Sequence, residues 1–469
     1  MSTLEQINPA EAIVGTNVRT AVTLDPRFLA SIRERGVLVP VVGYRDDAGQ
    51  FVVLYGQRRT LAAVETKRQS IPAYIVERTG EGQDEADRLV DQMAENDHRA
   101  ALTTAERAAG FEQLAALGLS AATIAKRTAT AKADVAAGLT IARSEAAKAA
   151  IESAPALTLE QAATLAEFDD SPEDVAALVE AADDGDFDYV AQQIRDRRER
   201  EATAQAKADE LTAAGVRVIE TPEWGDDTTR TLRRLAPAEG ADTYDEQTHA
   251  ECPGHVAYVR VDVRWGRDED GKSQRSFEAD ATYACDQWAQ AGHVDTCASN
   301  GSGSSGQAKK RAEDMTETER KEAQAARRDV IESNKAWESA EQVRRAWLAE
   351  FAQRKTAPKD APAFLAHAIT RHDTVVADRD ADALATEWFS LTRAAYGGRA
   401  TDWAETIDRA SQPRATMLAV ARVLSAMENH TGRDTWRNPG PVDVEYLTTL
   451  QRWGYSLSPI EKRAAGITD

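Results

Sequence analysis

Cysteine is nearly absent: the chain has three in 469 residues, too few for a disulfide framework at this length. Aromatic residues are scarce at 6%. The apolar share is 42%, but much of it is alanine, which buries little area per side chain. The expected architecture is therefore many modest Ala-rich helices around several compact cores, not one large core. No run of about 18 apolar residues occurs, so no helical membrane span is expected. The opening residues lack the basic and then greasy pattern of a secretory leader, and the expectation is a cytoplasmic protein with no membrane partner. Positive charge is also in deficit, with 57 Lys and Arg against 78 Asp and Glu and a net charge of −21. That balance opposes nucleic-acid binding by the whole surface, but leaves room for one basic module on an acidic body. No fixed-period repeat is found.

The length implies three or four domains. Residues 1–92 alternate short apolar runs with helical patterns, with strands expected at Val37–Val42, Phe51–Tyr55 and Ile71–Val76 and a helix over Gln57 to about Lys67. Residues 93–200 lose the strand signal and read as an all-helical domain punctuated by Gly118, Gly138, Pro155, Pro172 and Gly185. The charged stretch Asp196–Asp209 reads as an exposed joining helix. Within 201–298, a strand at Gly215–Ile219 precedes a hairpin. Its first strand carries Ala257, Val259, Val261, Val263 and Trp265 in alternation, and its second Phe277, Ala279, Ala281 and Tyr283. Asp270-Gly271 is the expected two-residue turn, which would set Val256 opposite Cys285. Residues 299–307 have linker composition, and 308–469 read as helix. The fold class is thus multidomain α+β.

Leu54-Tyr55-Gly56-Gln57-Arg58-Arg59-Thr60 puts a strand end, a glycine and two arginines at the first turn of a helix. Unpaired N–H groups there favour an anion, glycine admits close backbone approach, and guanidinium groups grip phosphate oxygens in pairs. Further on stands Glu95-Asn96-Asp97-His98-Arg99, whose Glu and Asn oxygens suit a hard cation such as Mg²⁺ and whose Arg99 could neutralise the same phosphates.

Ser31 through Gly36-Val37-Leu38-Val39-Pro40, then Gly56-Gln57-Arg58-Arg59, then Glu95-Asn96-Asp97-His98-Arg99 resemble, in order, three boxes of the ParB/RepB partition proteins. The resemblance covers roughly residues 5–150. It implies a small α/β domain that binds CTP with Mg²⁺, with Gly36, Val37 and Pro40 near the nucleoside. Gly56, Gln57, Arg58, Arg59, Glu95, Asn96 and Arg99 would lie about the triphosphate. It also implies a homodimer that closes as a clamp around DNA and reopens on hydrolysis. The family's Thr-Gly-Glu-Arg-Arg is here Tyr55-Gly56-Gln57-Arg58-Arg59, a departure that bears on hydrolysis more than on binding. A neutral Gln57 cannot act as a general base, so Glu95 is the carboxylate expected to serve a CTPase step.

Leu119 to Val135 fits a helix-turn-helix, with Ser120 as cap, Ile124 and Ala125 inward, and Val135 and Leu139 anchoring the second helix. From Leu119 to Lys148 there are five basic and two acidic residues, which inverts the sign of the chain. Lys126, Arg127 and Lys132 are the phosphate-contact candidates, with Thr130 near base edges. The resemblance implies pseudo-palindromic, centromere-like DNA sites and a ParA-type ATPase partner.

Outside the boxes, Cys252 and His255 precede one hairpin strand, Cys285 ends the other, and His293 and Cys297 follow. Tetrahedral Zn²⁺ needs four such ligands, and the expected set is Cys252, His255 and Cys285 with His293 or Cys297. A structural role is expected there. The tryptophans at 337, 347, 388, 403, 436 and 453 point mostly to packing in a helical domain, with dimerisation implied by the resemblance. The basic clusters Lys309-Lys310-Arg311 and Arg344-Arg345 stand among acidic residues and are not expected to hold DNA. The leading expectation is a ParB-like DNA-binding protein for plasmid, phage or chromosome partition, associated with nucleoid or plasmid. The rival is a transcriptional regulator or nucleoid-associated factor with the same modules; more distant is an enzyme acting at the Cys/His cluster.

Overall fold

The computed structural model describes residues 3–14, 24–46, 48–76, 86–87, 89–94, 102–268, 273–297, 315–378, 380–391 and 403–467. The chain divides into two compact units, Met1–Phe187 and Asp188–Asp469. Among the described residues, no helix is long and apolar enough to cross a membrane.

The first unit opens with β1 (Thr3–Ile7), β2 (Ile13–Val14), β3 (Val41–Arg45), β4 (Phe51–Tyr55) and β5 (Ile71–Ile75), arranged in the order β1-β5-β3-β4-β2. β5 runs parallel to β3 and antiparallel to β1, so this is a mixed sheet. Two helices cover it, α1 (Pro26–Arg35) and α2 (Gln57–Glu65). Val41, Val53, Ile71, Ala62 and Ala63 are fully buried in the core between these elements. Asp25 caps α1 by accepting from Phe28 N at 2.8 Å. At its other end, Arg68 Nη2 donates to the carbonyls of Ile32 and Arg33 at 2.8 and 2.7 Å, satisfying acceptors that a helix end leaves open.

The strand expected from Val37 begins only at Val41. Gly36 ends α1 with φ +71°, Pro40 offers no N–H to a ladder, and Leu38 and Val39 are 74% and 63% exposed. The apolar run is therefore a loop that buries Val37 and shows its next two side chains to solvent. The edge strand β1 was not legible, because Leu4 is exposed and only Ile7 of its apolar residues is buried.

After the helical residues 89–94, six α-helices follow among the described residues: α3 (Thr104–Ala116), α4 (Ala121–Arg127), α5 (Lys132–Arg143), α6 (Glu145–Ser153), α7 (Leu159–Leu165) and α8 (Pro172–Asp184). The alanine content would favour fewer, longer helices. Side-chain caps at Thr103, Ser120, Ser144, Thr158 and Ser171 fix where most of them start instead. Phe111, Leu114, Ile124 and Val135 form the core beneath α3 to α5. Gly138 lets α5 approach closely, since a Cβ there would lie 2.5 Å from the Phe111 ring.

In the second unit, α9 (Phe187–Ala213) leads into β6 (Arg217–Val218), β7 (Arg230–Thr231), β8 (Leu235–Ala236), the long pair β9 (His255–Arg267) and β10 (Ser273–Cys285), and β11 (Val294–Asp295). The sheet order is β6-β9-β10-β7, with β8 and β11 paired separately. The hairpin register runs from Arg267 opposite Ser273 to His255 opposite Cys285. This corrects the expected two-residue turn: five residues, 268–272, connect the strands, and Val256 faces Ala284. Asp270 and Gly271 themselves lie outside the described residues. The apolar pattern explains the register, because Phe277 faces Val263, Ala279 faces Val261, Ala281 faces Val259 and Tyr283 faces Ala257. A one-residue slip would turn each of these against a polar face.

The remaining helices are α10 (Glu317–Ala352), α11 (Ala361–Arg371), α12 (Asp373–Val376), α13 (Ala383–Trp388), α14 (Trp403–Asp408), α15 (Gln412–His430), α16 (Pro441–Arg452) and α17 (Pro459–Ala465). Trp337, Trp436 and Trp453 are buried in their main core with Phe351 and Tyr446, and Trp347 packs against it. Trp403 is buried in a smaller cluster with Leu418, so the tryptophans largely serve packing. Arg344 is fully buried, which removes it from any DNA-facing surface. The linker 299–307 and Lys309, Lys310 and Arg311 lie outside the described residues.

Candidate functional site

Gly56 sits between β4 and α2 in a left-handed conformation, φ +95°. A Cβ there would come within 2.9 Å of Val41 Cγ1 and 3.0 Å of Arg59 Nη2, so both backbone and space demand glycine. Behind it, Gln57 is only 6% exposed and packs inward. The two arginines are already engaged. Arg58 Nη2 donates to Asp25 Oδ2 at 2.5 Å and its guanidinium lies 4.4 Å from the Phe28 ring centroid. Arg59 Nη1 donates to the carbonyls of Val39 and Pro40 at 2.5 and 2.8 Å.

Arg59 therefore fastens the segment carrying Gly36, Val37 and Pro40 to the Gly56 box. Two of the three boxes thus lie in contact. Glu95, Asn96 and Arg99 lie outside the described residues, although the helical residues just before them do not. Tyr55 Oη donates to Asp91 Oδ2 at 2.6 Å, and Gln92 Nε2 donates to Leu54 O at 3.4 Å. Both contacts draw residues 89–94 to the end of β4. Asp25 and Asp91 were missed from sequence because each is a lone carboxylate whose partner is distant in the chain.

In the helical part, the turn from α4 to α5 contains Ala129 at φ +52°. Lys126 and Lys132 are exposed beside it and Thr130 is half-buried, with its hydroxyl donating to Thr128 O at 3.2 Å. Arg127 differs from the expectation of a free phosphate contact, because it is ion-paired with Asp87.

The Cys/His cluster is the most convergent site. One donor atom from each of His249, Cys252, Cys285 and His293 lies within 4.8 Å of every other. Cys252 Sγ is 4.0 Å from Cys285 Sγ and 3.4 Å from His293 Nε2, and His249 Nε2 is 3.0 Å from His293 Nε2. His249 thus takes the place expected for His255, which stands one step back with its Nδ1 at 3.0 Å from His249 Nδ1 and its ring stacked on Tyr283. Cys297 is exposed and outside the group. The missed signal was the spacing His249-x-x-Cys252. Burial, and then the neighbouring His293 and His255, push the His249 imidazole down to about 4. Burial pushes the Cys285 thiol up to about 11, with Cys252 adding to it.

Residues 25–95 match the family model for the ParB N-terminal domain. A curated relative, "Probable chromosome-partitioning protein ParB" of Treponema pallidum (strain Nichols), is 35% identical over 89 residues. That match covers 19% of this chain and 26% of the relative, so the chain spans about a quarter of its length. Among solved structures, C-terminally truncated ParB from Caulobacter crescentus in complex with the centromeric parS site is similar at 17% identity. It covers 39% of this chain and 92% of that one with a TM-score of 0.28. The same Caulobacter crescentus protein complexed with CTP-γ-S gives 22% identity, 38% and 97% coverage and a TM-score of 0.18. A Pnob8-like ParB-N domain gives 14%, 40% and 84%, and 0.26. Over residues 25–95 the chain is ParB-like.

Proposed function

We propose that this chain is a site-specific DNA-binding partition protein of ParB type that uses CTP and Mg²⁺ to close a clamp on a centromere-like site. The observation that carries the reading is the Gly56-Gln57-Arg58-Arg59 box at the start of α2, inside the segment that matches the ParB N-terminal domain. Gly56 would admit the triphosphate to the helix N-terminus, where N–H groups and the helix dipole favour anions. Arg58 would exchange Asp25 for phosphate oxygens. Because Asp25 is also the cap of α1, occupancy at the phosphates would be felt at that helix. Exposed Leu38 and Val39, next to Gly36, Val37 and Pro40, supply apolar surface for the nucleoside. Glu95 and Asn96 would offer oxygen ligands to Mg²⁺, Arg99 a further positive charge, and Glu95 the carboxylate for any hydrolysis.

DNA would meet the turn between α4 and α5 through Lys126 and Lys132, with Thr130 in the turn itself and Arg127 released from Asp87. A homodimer would bind pseudo-palindromic DNA, and a ParA-type ATPase would be the segregation partner in the cytoplasm.

The test is calorimetric titration of the full chain with CTP in Mg²⁺, with ATP, GTP and UTP as controls, in wild type and in Arg58→Ala. Arg58 is the cleaner choice, because Arg59 also ties down the Val39–Pro40 loop. Selective CTP binding is expected, weakened roughly 10- to 150-fold in the variant, the equivalent of about 1.5–3 kcal/mol for a charged hydrogen bond. If wild type binds no nucleotide, the clamp reading fails and a DNA-binding regulator takes its place.

A further inference from the structure

We propose that His249, Cys252, Cys285 and His293 form a closed, structural zinc site at the open end of the β9–β10 hairpin. Tetrahedral zinc with its usual bond lengths sets two sulfurs about 3.8 Å apart, sulfur and nitrogen about 3.6 Å, and two nitrogens about 3.3 Å. The corresponding separations are 4.0, 3.4 and 3.0 Å, each within a few tenths of an ångström of those values. A disulfide does not fit, because its sulfurs must approach to about 2.05 Å.

The surroundings are those of ligands held for a metal. Each histidine that turns Nε2 inward has its outward Nδ1 met by a partner: Tyr244 Oη at 3.1 Å for His293, and His255 Nδ1 at 3.0 Å for His249. Such outer contacts fix the tautomer and aim the coordinating nitrogen. Gly254 makes room for the sulfur, since a Cβ there would lie 2.7 Å from Cys285 Sγ. His255 lies directly across the ladder from Cys285 and acts as a positioning residue.

Two sulfurs with two imidazoles select zinc over magnesium or calcium, which prefer oxygen. Four protein donors fill a tetrahedron and leave no position for substrate, so the role is structural. The need is visible in the small apolar cluster at this place, where Leu232, Leu235 and Cys285 are the buried members. The ion would join the loop carrying His249 and Cys252 to the strand end at Cys285 and to His293. This inference is independent of nucleotide or DNA binding.

The experiment is metal analysis of the purified full chain by mass spectrometry, repeated after refilling with zinc and desalting. Roughly one zinc per chain is expected, lost in His249→Ala and in Cys285→Ser and kept in Cys297→Ser. His255→Ala should retain the metal with affinity weakened about 10- to 100-fold, as for other outer-shell changes. Absence of zinc from refilled wild type, or full zinc in His249→Ala, overturns the proposal. Should the ligand variants fail to fold, cobalt-loaded wild type decides. Intense visible bands of tetrahedral cobalt with sulfur-to-metal charge transfer are expected, and a pale six-coordinate spectrum overturns the site.

Discussion

The C-terminal helical bundle and the end of the β9–β10 hairpin both bury polar groups, but they neutralise them differently. In the bundle the fully buried charges of Arg344, Glu428 and Glu461 neutralise one another within the chain. Arg344 Nε and Nη2 donate to Glu428 at 2.6 and 3.1 Å, and Nη1 donates to Glu461 at 2.6 Å. Tyr446 and Tyr455 donate their hydroxyls to the same two carboxylates, Ser458 adds its backbone N–H and hydroxyl to Glu461, and Arg345 reaches Glu428 at 3.3 Å. At the hairpin end the converging groups are thiols and imidazoles with no cation among them. A chain can complete a salt-bridged core by itself, whereas a Cys/His cluster is completed by an ion from outside.

The sharpest way to break that contrast is Arg344→Met. It leaves Glu428 and Glu461 buried without their main counter-charge, and a broken buried pair of this kind costs about 3–5 kcal/mol. Denaturant unfolding of the full chain should register that loss, and adding zinc should not restore it. The next effect is on pH. Burial opposes the charge on Glu428, but Arg344 and Arg345 outweigh it and hold the carboxyl below its ordinary range. The unfolded chain therefore takes up a proton at this residue before the folded one does. Its contribution is full above the ordinary glutamate pKa of about 4.3 and fades as pH falls through the folded value. Unfolding midpoints measured from pH 6 to pH 3, as working limits of roughly that titration, should fall on acidification in wild type and less steeply in a Glu428→Gln chain.

Elements whose pattern repeats locally were legible in the sequence. The apolar strand Phe51–Tyr55, the helix after Gly56 and the Ser120-capped helix all stand where periodicity and capping residues put them. In the hairpin the Asp270-Gly271 step favours a tight turn, while the alternation from Val259 to Trp265 and from Phe277 to Tyr283 excludes the register that turn implies and fits the one seen. Side-chain pattern over eight positions binds more strongly than one turn dipeptide, because a one-residue slip would set these apolar side chains opposite polar ones. Long-range chemistry was the less legible part. Nothing local says that Arg344 turns inward to meet Glu428 and Glu461, 84 and 117 residues away. At the cluster, His249 and His255 are both close in sequence to Cys252, and only the fold decides which ring faces Cys285 and His293 and which one supports it.

Gly254→Ala gives the smallest expected effect and tests the hairpin side of the comparison most finely. The substitution removes no ligand and no hydrogen-bonding group. It adds one methyl group at a point where a Cβ would meet Cys285 Sγ at 2.7 Å and the Gln287 backbone nitrogen at 3.1 Å. Relief requires the sulfur to move, and overpacking of this kind costs about 1–3 kcal/mol. If the cluster holds an ion, the displaced sulfur no longer fits the tetrahedron, so zinc affinity falls and the stability loss is greater with zinc than under chelation. If the four side chains merely pack, chelation leaves the difference between wild type and variant unchanged. Thermal unfolding of both proteins with zinc and with chelator separates these outcomes, while Arg344→Met loses the same stability under either condition.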